Sequence, residues 1–513
     1  MGTPRICVIG AGMGGLVAAL ELSRRGFEVQ VFERQGGPGG KVRQISVNGQ
    51  PVDAGPTVFT MRWVFEQIFS DAGSSFEECV PLQPLRVLAR HAWSDQSRLD
   101  LFADIEESAD AIGRFSGSHD AKGYRIFCER ARSIYETLEG PFIRSPQPSP
   151  MTLALGSGVR GIGEMWKISP FSTLMSSLSE HFEDRRLRQL FGRYATYCGS
   201  SPYQAPATLM LVAHVEQDGV WIIKGGMHQL ALSLMDLAKK QGAIFRFDAE
   251  AKEILFDNSE IKGVQLKSEE VIECDAVIIN ADSAAVAQGL FGKPVARCVS
   301  PISVEQRSLS ALTWVCNTKA QGFPLARHNV FFSSNYEAEF EDIFKMKKLP
   351  SEPTIYVCAQ DRTDGERQEE FEKERLLLLV NAPAIGDRQD FTGSEVKECE
   401  QTTFSFLKQL GLSIDRREGS YMRTTPADFN QLFPATGGAL YGAASHGWMA
   451  SFSRPSGKTR IPRLYLAGGS VHPGPGVPMA ALSGWLAAAQ LAEDLTSIKW
   501  SRGTDMRGGT STP

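Results

Sequence analysis

Residues 5–41, RICVIGAGMGGLVAALELSRRGFEVQVFERQGGPGGK, constrain the fold more than any other stretch. Ile6-Cys7-Val8-Ile9 is a short apolar run of the kind shown by a strand buried on both faces. The turn after it, Gly10-Ala11-Gly12-Met13-Gly14-Gly15, satisfies G-x-G-x-x-G through Gly10, Gly12 and Gly15. Leu16, Ala18, Ala19 and Leu20 recur at helical spacing until Arg24-Arg25-Gly26, and a second strand, Glu28 to Phe32, stops at Glu33. Each part suits a dinucleotide. Gly10 makes the tight turn, Gly12 lets backbone approach a pyrophosphate, and Gly15 lets helix and strand pack closely. The phosphates sit on the unpaired N–H groups and positive dipole end of the helix, with Glu33 accepting from the ribose hydroxyls. An ordinary tight turn needs only the glycines; the strand–turn–helix–strand–acid order sets this one apart. Glu33 repels a ribose 2′-phosphate, although Arg34 beside it leaves that reading open.

A second glycine loop follows, Gly36-Gly37-Pro38-Gly39-Gly40-Lys41, and then Asp53-Ala54-Gly55-Pro56-Thr57. A nicotinamide enzyme has no need of it. FAD does, because its ribityl and isoalloxazine parts must be reached by close-lying backbone.

At 513 residues the chain is long enough for a nucleotide domain and a substrate domain. The net charge of −5 and the absence of a basic block argue against nucleic acid as a partner. Nine cysteines without C-x-x-C read as reduced thiols of a cytoplasmic protein, and eight dispersed histidines show no metal-ligand spacing. No run of about 18 apolar residues spans a bilayer.

Met61 to Ala72 reads as a helix, 85–104 as a hairpin turning at Ser94-Asp95-Gln96-Ser97, and Ile105–Phe115 and Gly123–Glu139 as amphipathic helices. Residues 140–179 are apolar and broken by Pro141, Pro146, Pro148 and Pro150. They fit either a buried helix or a lid that dips into a membrane surface. A basic helix is expected over 183–199. From Gly219 the nucleotide-type pattern returns, with a strand at 220–223, a helix to Lys240, further strands at 243–247 and 249–255, a hairpin of 264–266 with 271–273, and a buried strand at 276–279. Residues 300–450 carry strands of a mixed sheet. Near the end, Arg463 to Gly469 is a strand closing in glycines, and His472-Pro473-Gly474-Pro475-Gly476-Val477-Pro478 leads into a helix from Met479 to Thr496. The start of that helix, Val477, Pro478 and Met479, suits negative charge on a flavin N1–C2=O edge.

These pieces resemble the carotenoid (phytoene) desaturase family of FAD-dependent oxidoreductases, within the amine-oxidase-like flavoproteins. The matching stretches are VIGAGMGGLVAALEL (8–22), FERQGGPGGKVR (32–43), DAGPTVFT (53–60), KGGMHQLA (224–231), VIINAD (277–282) and LYLAGGSVHPGPGVPMAALSG (464–484), from end to end of the chain. Segments 89–104 and 193–221 are similar to the 1-hydroxycarotenoid 3,4-desaturases, also called hydroxyneurosporene or methoxyneurosporene dehydrogenases. Ala251 stands where relatives often place valine, and Gly469 where broader flavoenzymes carry an acid.

The resemblance implies an α/β fold: a Rossmann-like FAD-binding domain from 1–84, 219–299 and 455–498, and a discontinuous substrate domain of mixed sheet and helices from 85–218 and 300–454; the Gly-, Thr- and Ser-rich tail, 499–513, is expected to be disordered by its composition. It implies non-covalent FAD. Gly10, Gly12, Gly14 and Gly15 lie at its pyrophosphate, Glu33 at the ribose, and Arg34, Gly39, Gly40 and Lys41 along the ribityl-phosphate. Gly55, Pro56 and Thr57 line the flavin, Ala251 the adenine, and Gly469 to Val477 the far edge. The substrate is an apolar carotenoid, the setting peripheral on the inner or photosynthetic membrane, and the electron acceptor a quinone or oxygen.

Desaturation beside a polyene removes a hydride and a proton, and no ordinary side chain accepts a hydride. Hydride loss leaves a delocalised cation whose adjacent C–H is acidic, so no catalytic dyad is required and no catalytic residue is assigned. A 1-hydroxy end group needs a buried polar partner; His91, Tyr197, His214 and His472 are the candidates. Alternatives within the family are a phytoene-type desaturase or a carotene isomerase, and outside enzymes a prenyl-lipid escort protein.

Overall fold

The computed structural model describes residues 2–148, 172–363, 372–389, 391–447 and 449–504. Most of the expected lid, 149–171, and the end of the tail, 505–513, lie outside them. A parallel five-stranded sheet is assembled from three distant parts of the chain: β1 (Arg5–Ile9), β2 (Glu28–Phe32), β3 (Ile244–Arg246), β4 (Ala276–Ile279) and β5 (Leu464–Leu466), in the order β5-β4-β1-β2-β3. The register runs Ile9↔Ile279 on one side of β1 and Ile9↔Phe32 on the other. β1 and β4 are buried on both faces, which is why they read as continuous apolar runs. Helices α1 (Met13–Arg24), α2 (His228–Lys240) and α3 (Val477–Thr504) pack on this sheet through one core that includes Leu16, Leu20, Leu234 and Leu491.

Helix α1 is alanine- and glycine-rich because α3 crosses it closely. A Cβ on Gly484 would stand 2.0 Å from the Gly14 carbonyl oxygen. Helix α3 continues to Thr504, past the expected stop at Thr496 and into the stretch from 499 read as a disordered tail.

A second sheet of seven strands walls the other half. Its order is Tyr421–Thr424, Ser310–Thr318, Glu374–Ala382, Ile355–Ala359, His328–Phe332, Val87–Trp93, Arg98–Phe102. It is mixed: the pair His328–Phe332 and Val87–Trp93 is parallel, and the others are antiparallel. The hairpin expected over 85–104 supplies two of its strands. Helices Ile105–Ser116, Ser118–Leu138 and Leu174–His181 cover it with the core around Phe127, Phe182 and Phe191. A smaller antiparallel sheet, Ala251–Asp257, Glu260–Leu266 and Val271–Glu273, contains the expected hairpin, with Val264 opposite Ile272.

Two local readings are corrected. The strand Trp221–Ile223 pairs with Leu82–Pro84 and stays out of the five-stranded sheet, since a three-residue apolar run carries no information about its partner. The basic helix over 183–199 is α-helical only from Arg185 to Gly192 and tightens into 3-10 turns over Arg193–Cys198. All nine cysteines are free thiols, and no helix among the described residues is long and apolar enough to cross a membrane.

Candidate active site

The glycine turn after β1 forms a cradle that only glycine permits. Gly10 has φ +96°, and a Cβ there would stand 2.4 Å from the Asn280 carbonyl oxygen. Gly12 is the N-cap of α1 and no side chain caps it, so the first N–H groups of the helix are left for an anion. Gly15 differs from its expected place at the pyrophosphate. It does not line the cavity; it lies behind the cradle, where a Cβ would come within 2.0 Å of the Gly10 oxygen.

Asn280, at the end of β4, is not among the residues that the sequence motifs single out. Its Nδ2 donates to the Ala467 carbonyl at 3.1 Å, while its Oδ1 is buried without a partner. That Oδ1 would be 2.8 Å from a Cβ on Gly12. Its only signal is the polar ending of an otherwise apolar strand, VIINAD. An orphaned buried acceptor beside a cradle that any Cβ would fill is a fit for a dinucleotide pyrophosphate and its neighbouring hydroxyls.

Glu33 is buried at the end of β2. Its carboxylate accepts from the Ala11 N–H and the Gln35 N–H, each at 2.8 Å, which leaves a lone pair on each oxygen of a residue that lines the cavity. The second glycine loop is tied to the first: Gly39 N–H donates to the Ala11 carbonyl at 2.8 Å, and Gly40 lies against Gly12. Lys41 reaches the cavity, donating to the Leu440 carbonyl at 2.7 Å and standing 3.9 Å from Asp282. Burial lowers its pKa, with Asp282 opposing that shift. Gly55 closes on the same loop, since a Cβ there would be 1.9 Å from the Lys41 oxygen.

One cavity of about 1140 Å³ collects these groups. Besides Gly10, Gly12, Gly14, Glu33, Arg34, Gly39, Gly40 and Lys41, it is lined by Gly55, Pro56, Thr57, Ala251, Gly469, Val477, Pro478 and Met479. Beyond Thr57 it opens into a chamber walled by Leu209, Val212, Val215, Leu377 and Leu379. The chamber also holds Tyr197, whose hydroxyl donates to Glu216 at 2.5 Å. Glu216 receives a second hydroxyl from Tyr194 at 2.9 Å; burial raises its pKa, while both tyrosines and Arg193 pull it back. Thr57 Oγ1 and the Tyr356 hydroxyl are 2.7 Å apart, and Tyr356 is in turn 2.7 Å from His328 Nδ1.

Of the four candidates for binding a polar end group, the cavity takes in Tyr197 alone. His91 is stacked on Phe332 inside the seven-stranded sheet, with Nδ1 3.2 Å from the Leu99 carbonyl oxygen. His214 packs its ring 4.9 Å from Tyr135, outside the cavity lining. His472 is buried against Phe142, with Nε2 2.8 Å from the Ser145 carbonyl oxygen. Residue type alone suggests these three, and their packing directions exclude them from the chamber.

The buried histidines have a measurable consequence. Burial, with Arg193 adding to it, holds His91 down to about 3 from an ordinary 6.5. The unfolded chain therefore takes up a proton below 6.5 that the fold refuses, so this stability is complete above 6.5 and lost as pH falls toward 3. The loss for His91 is about 2 kcal/mol by pH ~5. Glu339, which burial raises to about 7, works in the opposite sense over 4.5–7 and moderates the total. His91→Phe should flatten the fall in unfolding free energy between pH ~7.5 and pH ~5 by about 2 kcal/mol. Denaturant titration at the two pH values reads it, and an unchanged slope would contradict a neutral buried imidazole.

A parallel sheet with a glycine cradle, a buried acid after its second strand and a cavity running on to a second, seven-stranded sheet defines a dinucleotide-binding protein. Residues 13–310 match the family model of flavin containing amine oxidoreductases. The chain is 54% identical over 511 residues to a hydroxyneurosporene desaturase of Rubrivivax gelatinosus, covering 99% of this chain and 97% of that one. It is 30% identical to a 1-hydroxycarotenoid 3,4-desaturase of a Flavobacterium species, covering 94% and 97%. Among solved structures, a redesigned putrescine oxidase superposes with a TM-score of 0.61 at 12% identity, covering 96% and 99%. The chain thus belongs to the flavin containing amine oxidoreductases, on their carotenoid desaturase branch.

Proposed function

We propose that this protein binds FAD and introduces the C3–C4 double bond of a 1-hydroxylated (or 1-methoxylated) acyclic carotenoid in carotenoid biosynthesis. The observation that carries this reading is the continuity of one cavity from Glu33, through the glycine cradle and residues 55–57, into an apolar chamber. A dinucleotide and an oily chain laid in it would share a wall at Gly55-Pro56-Thr57. The relatives' names supply the kind of substrate.

When bound, FAD supplies the acceptor for the hydride. The chain's own work is placement. Backbone N–H groups of Gly12 to Gly14 would hold the pyrophosphate, Glu33 the adenosine ribose, Arg34, Gly39, Gly40 and Lys41 the ribityl-phosphate part, and the main chain of Ala251 the adenine. Gly469 and the first turn of α3 at Val477, Pro478 and Met479 offer a positive dipole end at the far edge of the ring system. Leu377 and Leu379 hold the polyene against it and keep water away, and alignment supplies most of the acceleration. A proton next to a delocalised cation needs only a weak acceptor, so no side-chain base is assigned. Segments 1–84, 219–299 and 455–498 serve the cofactor; 85–218 and 300–454 serve the substrate. The substrate is delivered from a membrane to which the protein attaches peripherally, and the electrons leave to a quinone or oxygen.

The test is an assay of FAD-loaded protein with a 1-hydroxylated acyclic carotenoid in liposomes. One added double bond and a red-shifted absorption are expected. Cis/trans change alone would make the protein an isomerase, turnover of phytoene alone a phytoene-type desaturase, and polyene binding without flavin an escort protein.

A further inference from the structure

Four polar side chains of the chamber interact with one another. Arg193, Tyr197, Glu216 and Tyr336 all line it. The Arg193 guanidinium lies over the rings of Tyr197 at 5.5 Å and Tyr356 at 5.1 Å and forms no ion pair among the described residues. Glu216 uses one lone pair on each oxygen for Tyr197 and Tyr194 and keeps the others. Tyr336 is only 6% exposed, yet its hydroxyl has no partner. A buried hydroxyl left unpaired in the protein alone calls for a ligand atom.

An all-hydrocarbon ligand would leave the Tyr336 hydroxyl without a partner and the Arg193 guanidinium facing only aromatic rings, which is costly in an enclosed apolar chamber. The end of the ligand that reaches them therefore carries a group able both to accept and to donate. Their place in the cavity is equally specific. Tyr356, under Arg193, is bonded to Thr57 of the loop that adjoins the glycine cradle, so the polar end sits beside the cofactor end of the chamber. In a 1-hydroxylated chain the oxygen is two carbons from the C3–C4 bond, and an anchor for it has to lie close to where that bond reacts.

We propose that Arg193, Tyr336, Tyr197 and Glu216 form the socket for the tertiary hydroxyl of the substrate. Arg193 and Tyr336 donate to its oxygen, and Glu216, held in orientation by Tyr197, accepts a hydrogen bond from its O–H. The socket rests on the reading of the substrate as a 1-hydroxylated carotenoid and specifies how that substrate is chosen; because Glu216 needs a donor, a free hydroxyl is preferred over a methoxy group.

The experiment compares kcat/KM for a 1-hydroxylated acyclic carotenoid and for the same polyene without the oxygen, in wild type, Tyr336→Phe and Arg193→Met. Binding of both polyenes is followed in parallel by quenching of protein fluorescence. Wild type should favour the hydroxylated chain by ~100-fold or more. Tyr336→Phe should cut that ratio roughly tenfold, and Arg193→Met roughly a hundredfold. Tyr336→Phe removes an unpaired hydroxyl, so it should keep its flavin and melt no lower than wild type; a purely structural tyrosine would leave the ratio untouched. If wild type discriminates and both flavin-loaded variants discriminate equally well, the socket is wrong and the reaction stands. If wild type desaturates neither polyene but binds the hydroxylated one more tightly, and the variants lose that preference, the socket stands and the reaction is wrong. Absence of any preference in wild type overturns the socket, and the reaction falls with it only if no double bond is added to the hydroxylated chain.

Discussion

Gly15→Ala should purify without flavin and unfold earlier than wild type. The added methyl would stand 2.0 Å from the Gly10 carbonyl oxygen, 3.0 Å from Asn280 Oδ1 and 3.1 Å from Asn280 Cβ. None of these neighbours can yield alone. The carbonyl belongs to the turn between β1 and α1, and Asn280 is fixed by its bond to Ala467. Relief requires α1 to move off the sheet, which carries its first turn and the cradle with it. Overpacking of this kind costs about 1–3 kcal/mol, and more where backbone is the obstacle. With the anion-binding end of α1 displaced, flavin affinity should fall by ~100-fold or more, the equivalent of the upper part of that range. The ratio of flavin to protein absorbance after gel filtration and the melting temperature read the two effects. Gly140→Ala, whose methyl meets nothing within 4 Å, is the control. Full flavin in Gly15→Ala would mean that the close helix–strand contact does not position the cradle.

Glu33→Ala should also lose flavin, by a different route. The carboxylate holds the Ala11 and Gln35 N–H groups at 2.8 Å, and Ala11 is completely buried, so the substitution strands a donor that water cannot reach. Hydrogen bonds to a charged group contribute about 1.5–3 kcal/mol each. Because the same carboxylate is the proposed partner of the ribose hydroxyls, flavin affinity should drop ~100-fold, and the fold should weaken by about 2 kcal/mol. Glu33→Gln keeps an acceptor and should fall between. Unchanged flavin binding in Glu33→Ala would place the ribose elsewhere.

The parts of this site that can be read from sequence are those set by local backbone. The cradle is legible because its glycine requirement shows within six residues, and the hairpin of Val87–Trp93 with Arg98–Phe102 because alternation and a polar turn are local signals. Groups that meet only through packing are not legible. Asn280 reaches the cradle from a strand far along the chain, and Arg193, Glu216 and Tyr336 come from three separate segments. In the sequence Arg193 is one more charge on a basic amphipathic helix; the 3-10 turn that begins there lets it reach the chamber. His91, His214 and His472 are candidates for what an imidazole can do, and nothing in their sequence neighbourhoods reveals which way each faces.

The most direct test of the whole account is an anaerobic titration of the flavin-loaded protein with a 1-hydroxylated acyclic carotenoid, following both chromophores. The account predicts that the flavin's visible band bleaches by one equivalent for each double bond gained, while the carotenoid spectrum moves to longer wavelength. A carotenoid spectrum that shifts with the flavin band intact, or a protein that retains no flavin after saturation with FAD, would contradict it.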